Sequence, residues 1–126
     1  MKRIPLTWST LFADGGTGAK RFFPATPWLP AAQVKVVKGI WEAAQIQSNG
    51  SVQLSYQTCN VENSIDAPVL LDSAQTSAGV SYGTVTDVSA NTGSKALVRF
   101  GFTTWYTAGA VNVFSRAGGS VDYDSV

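Results

Sequence analysis

The sequence predicts an all-β protein, a two-sheet β-sandwich of jelly-roll type carrying an extended N-terminal arm. Three observations lead there. From Gly39 to Val126 apolar and polar residues alternate in short runs, the period-two pattern of half-buried strands. Gly, Asn, Asp and Ser separate these runs at about 12–15 residues, the spacing of strands in a small sandwich. Residues 1–38 break the pattern with Pro5, Pro24, Pro27 and Pro30, which force extended, poorly paired backbone.

The chain divides into an arm, residues 1–38, and a body, residues 39–126. The arm carries six basic side chains (Lys2, Arg3, Lys20, Arg21, Lys35, Lys38) against one acid, Asp14; the body carries three against seven. The near-neutral total of +1 hides this asymmetry. Gly15, Gly16 and Gly18 form a flexible joint in the arm. The arm also holds Trp8, Leu11, Phe12, Phe22, Phe23, Trp28 and Leu29. At roughly 25 cal/mol per Å2, burying its five rings is worth about 20 kcal/mol before ordering entropy. Such a segment is ordered on a surface, either its own body or a neighbour's, because disordered tails are poor in aromatics.

In the body, Ile40–Gln47 and Ser51–Val61 are expected to pair as a hairpin across Ser48-Asn49-Gly50, since an Asn-Gly step supplies the positive φ angles a tight turn needs. Within the second strand Val52, Leu54, Tyr56 and Thr58 share one face; Gln53, Ser55, Gln57 and Cys59 share the other. Pro68–Asp72 is a short strand and Val80–Val88 the next, its alternation slipping near Gly83 as a β-bulge would make it. Asn91-Thr92-Gly93-Ser94 turns into Lys95–Tyr106, where Ala96, Val98, Phe100, Phe102 and Thr104 oppose Leu97, Arg99, Gly101, Thr103 and Trp105. Ala110–Arg116 follows, and Val121–Tyr123 is read as an edge pairing.

The chemistry is sparse. The chain has no histidine, which removes Ser-His-Asp and Cys-His catalysis and most zinc enzymes. The single cysteine, Cys59, excludes an internal disulfide and reads as a buried structural thiol. Asp14-Gly15-Gly16-Thr17-Gly18-Ala19-Lys20 lacks the ending and the strand–helix context of a phosphate loop. Glu62, Asp66 and Asp72, with Asn60 and Asn63, offer oxygen ligands, but no calcium spacing is matched and turn chemistry explains them better. No catalytic residue, metal or cofactor is expected, and no run of about 18 apolar residues spans a membrane. Folding does not depend on an oxidising compartment, so synthesis in the cytoplasm is the default.

Two binding readings remain. Arg99, Trp105 and Tyr106 could stack a sugar ring; the preferred competing reading packs Trp105 under the arm or at a subunit interface. The arm's cations come as separated pairs rather than a dense block, which disfavours nucleic acid and favours docking on acidic protein surface. Charged residues are only 13% of the chain, against about 25% in an average domain, so copies would meet little repulsion.

In overall plan the chain resembles small accessory proteins of virus particles, the tailed-phage capsid decoration proteins and other head or tail accessory subunits. The arm from Met1 to Gln33, the Thr/Ser/Gly-rich strand from Gly79 to Asp87 and the Arg99–Phe102 strand carry the likeness. The resemblance implies a non-enzymatic virion protein made in the host cytoplasm. It would form a homo-oligomer, a trimer being favoured, and attach to a neighbouring capsid or tail protein. Trp8, Phe12, Phe22, Phe23 and Trp28 would fill partner pockets, with Lys20 and Arg21 pairing to carboxylates at the rim. Deleting residues 1–33 would abolish assembly and leave a β-rich body. The alternatives are a carbohydrate-binding or adhesive module, and a small jelly-roll coat subunit.

Overall fold

The computed structural model describes residues 2–13, 16–47, 49–61, 63–77, 79–82, 86–92, 94–108 and 113–124. In chain order its elements are β1 (Lys2–Ala13), β2 (Arg21–Pro24), β3 (Leu29–Pro30), a 3-10 turn (Ala31–Gln33), β4 (Val36–Ala44), β5 (Gly50–Cys59), β6 (Val69–Leu70), β7 (Gly79–Tyr82), β8 (Thr86–Asp87), a one-turn helix (Ser89–Thr92), β9 (Leu97–Tyr106) and β10 (Val113–Asp124).

They pair into two antiparallel sheets. The first runs β1-β10-β4-β7, with β8 also on β4; the second runs β2-β9-β5-β6, with β3 also on β9. β2 lies along Thr104–Gly101 of β9 and β3 along Val98–Leu97, so the two are one strand interrupted at residues 25–28. β7 and β8 continue one another along β4 in the same way. Eight strand positions result, ordered 1-8-3-6 and 2-7-4-5. This is the double Greek key of a jelly roll, as expected.

Alternation builds the core. Val37, Trp41, Ala43, Ala117 and Val121 of the first sheet face Val52, Leu54, Tyr56, Val98, Phe100 and Phe102 of the second, all buried. Trp41 meets Phe102 at 5.7 Å between ring centroids, and Tyr56 meets Phe100 at 6.2 Å. The first pair joins the two sheets face to face; the second is a cross-strand pair within the second sheet.

The N-terminal segment belongs to this core. β1 forms one edge of the first sheet and sends Leu6 and Leu11 inward. β2 and β3 form an edge of the second, which suits their prolines because an edge strand can spare an N–H. Where the pairing breaks, Ala25 N–H donates to the Phe100 carbonyl (2.9 Å) and Phe100 N–H to Thr26 Oγ1 (3.0 Å), so a hydroxyl stands in for a missing carbonyl. The boundary drawn between residues 38 and 39 falls inside β4. Deleting residues 1–33 would therefore strip an edge strand from each sheet rather than leave a body intact.

Two other expectations change. β4 and β5 do not pair as a hairpin: they lie in opposite sheets, and the chain crosses between them with Gln45 at φ 56° and Asn49 at φ 66°. Both strands present large apolar faces, and facing each other across the core buries more of them than lying side by side. Val121–Tyr123 is not an edge but the end of β10, which runs between β1 and β4. Gly119 permits this with φ 149°, where a Cβ would collide with the Ile40 carbonyl and sit 2.6 Å from Trp41 Cα. Asn91 and Thr92, expected in a turn, form the end of the short helix, while Gly93, the bulge at Gly83 and residues 109–112 ahead of β10 lie outside the described residues.

Candidate functional site

Aromatic and cationic side chains gather where the β1 and β2–β3 edges meet. On β2 the strand period sends Phe23 inward beside Phe102 and Phe22 outward over Gly101. Arg99, on the outward face of β9, lies 4.4 Å from the Trp28 ring centroid and 5.7 Å from that of Phe22. Its Nε and Nη2 both donate to Gln57 Oε1, at 3.0 and 2.7 Å. Arg21 spans Phe12 (4.2 Å) and Phe23 (5.0 Å), whose rings meet edge to face at 5.3 Å. Lys20 Nζ lies 5.1 Å from the Trp105 ring. Between the two edges runs a groove of about 360 Å3 lined by Thr7, Ser9, Arg99 and residues 24–28; a bond from Thr7 N–H to the Ala25 carbonyl (3.3 Å) joins its walls.

The expected partner-binding residues thus divide. Phe12 and Phe23 pack within this chain, and Lys20 and Arg21 stack on its own rings while remaining exposed. Phe22 and Trp28 are half-buried around Arg99. Trp8 lies apart on the first sheet, 44% exposed.

Arg99, Trp105 and Tyr106 do not form one sugar platform. Alternation turns Tyr106 inward, where it is buried against Ala13, while Arg99 is engaged by Trp28, Phe22 and Gln57. Trp105 lies beneath Lys20 of the N-terminal segment.

The loop carboxylates serve structural bonds. Asp66 accepts from Thr58 Oγ1 (2.8 Å) and Lys95 Nζ (3.0 Å), and the Lys95 bond first, then that of Thr58, holds its carboxyl below the usual range. Asn60 Oδ1 accepts from Ala96 N–H (3.2 Å). Asp72 Oδ2 accepts from Trp41 Nε1 (3.1 Å); burial pushes its carboxyl up, and that bond opposes the push. Among the described residues no three His, Cys, Asp or Glu side chains are placed to hold a metal ion, and no helix is long and apolar enough to cross a membrane. Glu62 lies outside the described residues.

A second groove, of about 450 Å3, was not expected. Thr10, Gln45, Gln47, Ser115 and Arg116 line it where β4 leaves the first sheet, and Arg116 connects it to Trp8, 5.8 Å from that ring. Its residues come from three distant stretches of chain, and only the register of β1, β10 and β4 brings them together.

No protein-family model and no curated protein matches the sequence. The fold is similar to solved structures of infectious bursal disease virus. Chains of the Gx and Gt strains match with a TM-score of 0.60 each, at 10% and 9% identity, over 95% of this chain and 30% and 32% of theirs. A chain of that virus's VP2 subviral particle, seen in a crystal structure, matches with a TM-score of 0.60 at 11% identity, over 95% of this chain and 30% of its own. The chain spans about a third of the length of those it matches, and at such identity the likeness is one of fold.

Proposed function

We propose that this chain is a non-enzymatic structural subunit of a virus particle, a capsid decoration or head/tail accessory protein that associates with copies of itself and with a neighbouring capsid or tail protein. The observation that carries the reading is the complete jelly roll, similar over 95% of the chain to chains of a virus and of a subviral particle. The low charge supports it, because neutral polar surfaces pack against copies without strong repulsion. The contact surface proposed is the outer face of β2, β3 and β9, where Lys20, Phe22, Trp28, Arg99 and Trp105 offer rings and cations together. Aromatic and Arg residues dominate binding energy at protein interfaces. A trimer is the favoured assembly.

The same likeness favours a second reading, a small coat subunit that builds a shell alone. Negative-stain electron microscopy of the purified protein separates them. Discrete small oligomers support the accessory reading and closed shells the coat reading; isolated monomers at every concentration overturn both.

A further inference from the structure

Independently of assembly, we infer that the groove beside Trp8 is a carbohydrate site, with the indole as platform and Thr10, Gln45, Gln47 and Arg116 binding the hydroxyls of a hexose-type ring. Three observations carry it.

The first is how Trp8 is held. Leu6 pairs with Gly119 and Ser9 with Ala117, so Thr7 and Trp8 together oppose Gly118, and β1 bulges there. Three indole atoms, Cγ, Cδ2 and Cδ1, lie 2.6, 2.6 and 2.7 Å from where a Gly118 Cβ would be. Near-equal distances mean the ring lies face-on against the strand. The indole is thus flat on the backbone and fixed in orientation, yet 44% exposed. That is an apolar plane offered to solvent without the entropy cost of ordering it on binding.

The second is the lining. All five groove residues are polar: two hydroxyls, two amides and one guanidinium. The volume of about 450 Å3 falls within the roughly 300–1,000 Å3 of small-molecule sites. The third is Arg116, which lines the groove and whose guanidinium lies 5.8 Å from the Trp8 ring centroid, so the indole and the polar lining border one site.

An apolar C–H face beside a ring of hydroxyls is the chemistry of a pyranose, which matches an aromatic plane set beside a polar groove. The guanidinium also admits a carboxylated sugar.

The test is saturation-transfer NMR on the full chain, with glucose, galactose, N-acetylglucosamine and glucuronic acid as probes. At least one sugar is expected to receive saturation. Trp8→Ala and Gln45→Ala should each lower its affinity at least ten-fold while circular dichroism stays that of the parent. Trp105→Ala should leave the signal unchanged. No saturation of any probe, or a signal that survives Trp8→Ala, overturns the inference; a response to glucuronic acid alone supports it and assigns Arg116 to the carboxylate.

Discussion

Trp41 on β4 and Asp72 just after β6 join the two sheets through the core: the buried indole donates Nε1–H to Asp72 Oδ2 at 3.1 Å. The bond satisfies a polar atom that the aromatic core would otherwise strand, but it draws a carboxylate partly out of water. Burial raises the Asp72 pKa, and the Trp41 bond only partly offsets it. For an acid raised by folding, the stabilising contribution is complete below the ordinary carboxylate value and is lost as pH rises through the folded value. Asp72→Asn, which keeps an acceptor for Trp41, is expected to raise the melting temperature at neutral pH, with the gain vanishing in acid. Asp72→Leu leaves the indole N–H unpaired and should cost about 1–3 kcal/mol by urea unfolding.

Asp66 and Asp122 titrate in the opposite sense. Arg3 donates Nε to Asp122 Oδ1 (2.7 Å) and Nη2 to Oδ2 (3.1 Å), and this bonding holds the Asp122 carboxyl down, as Lys95 and Thr58 hold Asp66. Their contribution is present above the ordinary carboxylate value and is lost as pH falls through the lowered one. Unfolding midpoints measured from neutral to acid pH should fall less steeply in Asp66→Asn and Asp122→Asn than in the parent. Because both pairs are exposed, salt should shrink that difference.

Gly118 and Trp8 should act as a unit. A Cβ on Gly118 would lie 2.6 Å from the indole, so Gly118→Ala must lift the ring. Gly118→Ala and Trp8→Ala are each expected to cost about 1–2 kcal/mol, and the double variant little more than either, since both remove the same contact. Trp8 emission should shift red in Gly118→Ala as the ring enters water.

Gly101 sets the seat of β2. A Cβ there would meet the Phe23 carbonyl, the Phe22 ring at 2.8 Å and Pro24 Cα at 2.9 Å. Backbone cannot yield as a side chain can, so Gly101→Ala should detach β2 from β9 at a cost of about 3 kcal/mol or more. Faster amide exchange confined to residues 21–23 and their partners on β9 is the expected signature.

Strand identity was legible because burial on one face writes a period of two into the sequence. Thus Val98, Phe100, Phe102 and Thr104 read correctly as one face of β9. The crossing between β4 and β5 was not, because the positive φ of Asn49 serves a hairpin and an inter-sheet crossing alike. The N-terminal aromatics showed that residues 1–38 must be buried somewhere, yet nothing local in Leu6 or Leu11 says in which molecule. The Arg99–Trp28 stack joins residues 71 positions apart in sequence, and the groove at Ser115 depends on the register of three strands. Such juxtapositions are products of topology, which a period cannot encode.

The central claim, that this chain is a self-associating particle subunit, is tested most directly by multi-angle light scattering on the purified full chain over a range of concentrations. The account predicts a defined multimer that dissociates when Phe22 and Trp28 are both replaced by alanine, with circular dichroism unchanged. A parent protein that remains monomeric at every concentration would contradict it.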